Sequence, residues 1–389
     1  MKFAHLADCH LGGWKDPKLE SLNLQSFVYA IDKCINEKVD FVLIAGDLFD
    51  TAMPSIDVLK TAIAEFRKLH EQKIKCYIVQ GSHDYSLSGK SFVDVIESAG
   101  LCINVREGLE TPELVIYGIE GKKGGLEKNN ISELKINLNK DSKLKILMLH
   151  TTLTEAKPKG MDFIESTDAK DLPDGFDYYA AGHIHIVSEL NIGGKKIVYP
   201  GPLFPNNLQE LEELKEGSFY IVESQGKEFK LKKESISLKE ILPITMDLDG
   251  EDARICTEHI LNEILKSNIN DKIIILRLKG TLSTGKTSDI DFKRIETALQ
   301  ESFAVLRNTS ELTTPELKLT LKTENKDVNK IEEEIVQEYG KKNLDYADFA
   351  KKITELMNAL AIEKQEGETS KTFEARLVGE VSKIINLGD

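Results

Sequence analysis

Apolar and polar positions change rhythm along the chain. Three short apolar runs, KFAHLA (2–7), DFVLIAG (40–46) and KCYIVQG (75–81), each end in a turn or a polar cluster and predict buried strands. Between them the apolar spacing is helical. Residues 21–38 place Leu24, Phe27, Ile31, Cys34 and Ile35 on one face, and residues 55–72 do the same with Ile56, Leu59, Ile63, Phe66 and Leu69. Ser55, after Pro54, is the expected N-cap of the second helix. Strand and helix in alternation predict a parallel sheet joined by right-handed crossovers.

From about residue 114 strands follow one another: ELVIYGIEG, LKILMLHTT, FDYYAAGHIH, KKIVYPG and GSFYIVES, with one short helical pattern near 126–134. This spacing predicts a second, more antiparallel sheet packed on the first. Residues 1–224 are therefore expected to form a four-layer α/β/β/α sandwich. Residues 225–325 predict a smaller α+β capping domain, from a helix (DARICTEHILNEILKS), a strand (KIIILRLKG) and a helix (DFKRIETALQESF). Residues 326–389 carry C-terminal helical patterns. One has Ile331, Ile335 and Tyr339 and continues with Phe349, Ile353, Leu356, Met357 and Leu360. The other has Phe373, Leu377, Val381, Ile384 and Ile385, after the polar linker EKQEGETSK.

Composition narrows the options. With 389 residues the chain is long enough for two or three domains. The formal net charge is −14, so bulk charge does not advertise a binder of nucleic acid or of membrane surfaces. Residues 1–224 hold 25 basic against 34 acidic residues, but 225–325 hold 16 against 17. The capping region is thus the less acidic of the two. Lys227, Lys230, Lys232, Lys233, Lys293 and Arg294 are either a solvated face or phosphate contacts. The five cysteines form no CxxC pair and suit a reducing compartment. No signal peptide or membrane span stands out, so a cytoplasmic protein is expected.

The chemistry lies just past the apolar runs. LADCHLG offers Asp8 and His10, AGDLFDT offers Asp47 and Asp50, and QGSHDYS offers Ser82, His83 and Asp84. His150 follows KILML, and His183 and His185 follow DYYAAG. Ligand sites of open α/β sheets lie beyond the carboxyl ends of the strands, so five strand ends deliver Asp and His to one edge. Residues i and i+2 of an extended segment point the same way, so Asp8/His10 and His183/His185 are each expected to present two ligands together. Gly12, Gly46, Gly81 and Gly182 leave room for tight turns and close approach. A mixed Asp/His set without thiolates suits Mn²⁺, Fe²⁺ or Zn²⁺ and argues against a closed structural zinc site.

In this order, DCH, GDLFD, GSHD, His150 and GHIH resemble the five motifs of the calcineurin-like metallophosphoesterases. FAHLADCHLGG and FVLIAGDLFD, with the added domain and terminal helices, resemble more narrowly the Meiotic Recombination Eleven and SbcD nuclease family in a prokaryotic, archaeal-type version. The resemblance implies the metallophosphoesterase sandwich and a Mn²⁺-dependent nuclease, with 3′-to-5′ exonuclease and single-strand endonuclease activity. It implies DNA as substrate, double-strand-break repair, a Rad-fifty type ATPase partner bound by the C-terminal helices, and a homodimer formed through helices of the nuclease domain. By the same resemblance Asp8, His10, Asp47 and His185 hold one Mn²⁺, and Asp47, His150 and His183 a second. His83 is then the catalytic group above the scissile phosphate. Ser82 stands where the family has an Asn that offers its carbonyl to the second metal. Asp50 stands where some relatives have a phosphate-contacting histidine. Asp84 is either a turn former or an orienting partner of His83. Other readings are a phosphodiesterase or phosphatase for small substrates, and a metal-free scaffold of the same fold.

Overall fold

The computed structural model describes residues 1–86, 91–121, 144–157, 165–314, 356, 359–360 and 370–385. The helical patterns expected near 126–134 and in 331–355, and most of the linker at 363–371, lie outside the described residues.

Three parallel strands, β1 (Lys2–Leu6), β2 (Phe41–Ala45) and β3 (Lys75–Val79), alternate with α1 (Pro17–Asn36) and α2 (Ile56–Glu71). α1 begins earlier than its apolar stripe. Asp16 accepts from the amides of Lys18 and Leu19, and Pro17 takes the first helical position, where no amide is needed. Ser55 caps α2 as expected, accepting from the Val58 amide. α3 (Phe92–Ser98) and the short β4 (Ile103–Asn104) complete this half. Burial on both faces explains why β2 reads as the unbroken apolar run FVLIA.

The second sheet contains β5 (Leu109–Glu110), β6 (Leu114–Ile119), β7 (Leu144–His150), β8 (Tyr178–Gly182), β9 (Val187–Ile192) and β10 (Lys195–Pro200), in the order β5-β6-β7-β8-β10-β9. The spacing predicts a more antiparallel sheet than the first, but the second sheet is mostly parallel. β6, β7, β8 and β10 run parallel, and only the edge strands β5 and β9 are antiparallel to their neighbours. Parallel neighbours need crossovers of about a dozen residues or more. The connections 120–143 and 151–177 are long enough, but where described they hold two 3-10 turns rather than a helix. The run GSFYIVES, expected in the second sheet, is instead β11 (Gly217–Gln225) of the first, antiparallel to β1. β12 (Glu228–Ile236) pairs with it along its whole length, giving the order β12-β11-β1-β2-β3-β4. The boundary expected after residue 224 thus falls inside a hairpin.

Two cores result. Phe27, Ile31, Phe66 and Leu69 of α1 and α2 cover the outer face of the first sheet at Leu6, Val42, Ile44 and Ile78. Phe3, Phe41, Leu43 and Val79 meet Ile116, Ile146, Met148 and Tyr178 between the sheets. The far face of the second sheet is covered by Leu153, Ala156, Leu172 and Phe176 from the crossover loops. α4 (Leu208–Leu214) joins β10 to β11.

Beyond β12 come β13 (Ile241–Asp247), α5 (Ala253–Lys266), β14 (Ile273–Thr281), α6 (Phe292–Ala298) and β15 (Ala304–Thr313), whose strands form a sheet in the order β13-β14-β15. Contact density divides the chain into two units. One comprises Met1–Met246, Ile260–Arg277 and Phe292–Asn308, the other Asp247–His259, Leu278–Asp291 and Thr309–Asp389. The second unit has its own buried residues at Leu248, Cys256, Leu278, Leu282 and Ile290, and it includes the helix α7 (Ser370–Ile385). Among the described residues no helix is long and apolar enough to cross a membrane, and all five cysteines are buried free thiols.

His5 carries a pH-dependent part of this packing. It is fully buried between the sheets, with Nδ1 3.0 Å from the Tyr178 hydroxyl, and burial lowers its pKa to about 3. The unfolded chain protonates His5 near 6.5. The stability that depends on neutral His5 is therefore complete above about pH 6.5 and is lost as pH falls toward 3. In denaturant unfolding, the free-energy difference between parent and His5→Gln should move in the variant's favour on going from pH 7.5 to 5. The slope should approach ~1.4 kcal/mol per pH unit. A difference that stays constant over that range would show that His5 does not change protonation on unfolding.

Candidate metal centre

The residues expected past the strand ends meet in one cleft of about 380 Å³. Its walls include His10, Asp47, Ser82, His83, His183 and His185. Among the described residues, three groups have ligand atoms within 4.8 Å of one another: Asp8, His10 and His185; Asp47, His150 and His183; and His10, Asp50 and His83. Oxygen and imidazole donors at this density, without a thiolate, fit divalent cations of the Mn²⁺, Fe²⁺ and Zn²⁺ type.

The backbone reaches this arrangement differently from the extended spacing expected. Asp8 (φ 51°), His10 (42°), Asp47 (51°), His183 (104°) and His185 (50°) all have left-handed backbone. The chain bends at each one, so His183 and His185 part company, the first to Asp47 and His150, the second to Asp8 and His10. Cross-loop hydrogen bonds hold the bends: Asp8 N–H to Gly46 O (3.1 Å), His10 N–H to Asp47 O (3.0 Å) and Asp50 N–H to Leu11 O (3.2 Å). Two glycines are required by close approach. A Cβ at Gly46 would lie 2.0 Å from His150 Nδ1, and one at Gly81 would lie 2.1 Å from Asp47 Oδ1.

Asp47 sits at the junction. Its Oδ2 is 3.0 Å from His150 Nε2 and 3.6 Å from His10 Nε2, and its Oδ1 accepts the His83 amide at 2.8 Å. Burial opposes its charge, yet His150 and His10 hold it well below the ordinary carboxylate range. Burial likewise opposes the charged form of His150, but Asp47 and then Asp8 push its pKa up to about 10. His185 rises to about 9 against its own burial, through Glu210 and Asp8. His183 drops to about 3 through burial and the neighbouring His150. Burial raises Asp8 despite the pull of His185 and His150. Protons and carboxylates thus balance within the protein, and loading a divalent cation is coupled to proton release.

Asp84 is wholly buried and accepts the amides of Leu48, Phe49 and Gly81 at 3.0–3.1 Å. It ties the loop after β2 to the loop after β3. Burial and the charge of Asp47 push it up to about 7, against those three donors. The His83 side chain is 44% exposed, and its Nδ1 is 2.7 Å from the Asp50 carbonyl. A carbonyl can only accept, so Nδ1 carries hydrogen and Nε2 is left for chemistry.

Glu210 was not legible as a site residue. It stands in the first turn of α4, its Oε1 2.9 Å from His185 Nδ1 and its Oε2 accepting the Asn206 amide at 2.8 Å. Asn207, three residues ahead of it, gave the only signal, and that signal marks a helix start rather than a metal site. Of the basic residues singled out, Lys232 pairs with Glu234 and Glu37, and Lys233 with Glu216, whereas Lys227, Lys230 and Lys293 are exposed.

Residues 1–187 match the family model described as calcineurin-like phosphoesterase. The chain is 31% identical over 328 residues to the DNA double-strand break repair protein Mre11 of Methanocaldococcus jannaschii, covering 79% of this chain and 80% of the relative. It is 26% identical to the protein of the same name from Archaeoglobus fulgidus, with 77% and 73% covered. It is 27% identical to that of Thermoplasma acidophilum, with 88% and 100% covered. Taken with a cleft in which Asp and His converge from five strand ends, these likenesses show that the chain belongs to the archaeal-type Mre11 family of calcineurin-like phosphoesterases and is a metal-dependent phosphodiester hydrolase.

Proposed function

We propose that the chain is a Mn²⁺-dependent DNA nuclease that processes ends in double-strand-break repair, as a 3′-to-5′ exonuclease and single-strand endonuclease, with a Rad-fifty type ATPase. One observation carries this reading: the ligand-bearing clusters share the cleft whose rim holds His83. The relatives' name, double-strand break repair protein, supports DNA as the substrate. Asp8, His10, Asp47 and His185 would hold one cation, and Asp47, His150 and His183 the other. Two bound cations supply charge stabilisation to the attacking and departing oxygens of an in-line displacement. The protein's own groups do the rest. Asp47 holds the His83 loop through its Oδ1, and the Asp50 carbonyl fixes His83 in the Nδ1–H form. As an imidazolium, His83 donates its Nε2 proton to the leaving oxygen. Lys293 is left as the phosphate contact, because Glu234, Glu37 and Glu216 engage Lys232 and Lys233, and the β11–β12 hairpin carries Lys227 and Lys230 to the end of the sheet opposite the cleft.

With a 3′-labelled linear duplex and Mn²⁺, His83→Gln should lower hydrolysis about 10²–10⁴-fold and keep the bound metal found by elemental analysis. His150→Ala and His185→Ala should lose metal and activity together. Hydrolysis by His83→Gln at the parent rate would remove His83 from the chemistry.

A homodimer is part of the proposal. α2 with the α3 segment is the proposed place of contact, and Phe66 of α2 is fully buried in the domain's own core. Met53 (78% exposed), Ile56 (84%) and Val95 (49%) are instead the apolar side chains offered to solvent on and beside α2 and α3. Ile56→Glu with Val95→Glu should halve the mass seen by light scattering at micromolar concentration. A parent already of monomer mass would overturn the dimer.

α7 is the proposed ATPase contact. Phe373, Leu377 and Val381 stand at helical spacing and are half-buried, on a helix of two charged flanks that needs a surface for its stripe. Truncation after Ala361 should abolish co-purification with the ATPase but leave Mn²⁺-dependent degradation of short DNA. A truncated chain that still forms a stoichiometric complex would place the contact elsewhere.

A further inference from the structure

We infer that the two cation positions are built unequally: Asp50 and Glu210 act as positioning residues that make the first bind tightly, while the second, lacking such carboxylate support, loads weakly. The inference rests on the two-metal reading above and adds an order of affinity to it.

The first position is enclosed by a ring of contacts. His10 Nδ1 is 3.1 Å from Asp50 Oδ1, and His185 Nδ1 is 2.9 Å from Glu210 Oε1. A carboxylate accepts, so both rings carry hydrogen on Nδ1 and turn Nε2 inward. The two Nε2 atoms stand 2.9 Å apart. Nitrogens that close share one proton in the metal-free chain, and a cation bound there would take its place. The supporting carboxylates are themselves fixed. The Asn206 side-chain amide donates to Asp50 Oδ1 at 3.2 Å, its main-chain amide to Glu210 Oε2 at 2.8 Å, and Asn207 Nδ2 to Glu210 Oε1 at 2.5 Å. Ring rotation of either imidazole would break a charge-assisted bond, and both bases are made stronger donors to a cation.

The second position has different backing. His150 Nδ1 donates to the Ala45 carbonyl at 2.9 Å, with Asp8 beyond at 3.9 Å. His183 directs Nδ1 at His150 Nε2, 3.1 Å away. Beside them Ser82 lines the cleft with a hydroxyl, a shorter and weaker donor than an amide carbonyl. The neutral carbonyl raises the basicity of His150 less than a carboxylate would.

Titration of the metal-free full chain with Mn²⁺, followed by calorimetry and by electron paramagnetic resonance, tests this without reference to activity. The parent should bind in two phases. Glu210→Ala should weaken the tight phase about 10–100-fold and leave the weak phase in place. Glu210→Gln, whose amide oxygen still accepts from His185 but carries no charge, should recover only part of the loss, and Asp50→Asn should likewise weaken the tight phase. Ser82→Asn should tighten the weak phase alone. Two equal sites in the parent, or an unchanged tight phase in Glu210→Ala, would overturn the inference while leaving a two-metal enzyme intact. A parent that binds no Mn²⁺, or binds it equally well as His185→Ala, would instead overturn the metal assignment beneath it.

Discussion

Five of the side chains that build the cleft stand on left-handed backbone, and everything else at the site depends on holding them there. Each such residue costs on the order of 1–2 kcal/mol without a glycine. The loops after β1 and β2 meet that cost jointly, by hydrogen bonding to each other rather than to solvent. Asp84 adds a carboxylate anchor for three amides and draws in the loop after β3. The strain is therefore spread over neighbouring loops and fixed by two sheets whose parallel strands end at one edge.

That edge explains why so much of the site could be read from sequence. Polar residues just beyond apolar runs need only a parallel sheet to be gathered, and the first three runs predicted one. The route was less legible. Extended geometry puts Asp8 and His10 on a shared side, and they do meet in one ligand group, but positive φ turns His183 and His185, given a shared side by the same reasoning, to different groups. Glu210 escaped because a first-turn Glu after an Asn reads as a helix start, and only the fold carries that helix to His185.

The fold was legible where local pattern decides and obscure where partners decide. Ser55 is local and caps α2 as expected, and Phe66 and Leu69 of the expected stripe are buried, but Ile56 faces solvent and Val58 and Ala62 complete the buried face instead. The start of α1 was local too, but its signal lay in Asp16–Pro17 rather than in the stripe. β11 resembles its neighbours in sequence, and nothing within it says that β1 is its partner. The parallel character of the second sheet was written in the length of its connections, which are too long for hairpins. The scarcity of helical period there, one short pattern near 126–134, obscured it.

Cys9 lies between Asp8 and His10 in sequence, yet its side chain belongs to the core on the helix side of the first sheet. Burial, followed by the charges of Asp8, Asp84 and Asp47, pushes its thiol well above the ordinary range. The bends that swing Asp8 and His10 into the cleft swing the sulfur out of it. A soft ligand between a carboxylate and an imidazole in sequence is thereby withheld from thiophilic ions, which would otherwise compete for the cleft. The same burial keeps it from becoming the thiolate on which peroxide acts. The chain can thus keep a cysteine in its first loop without making the centre sensitive to oxidants.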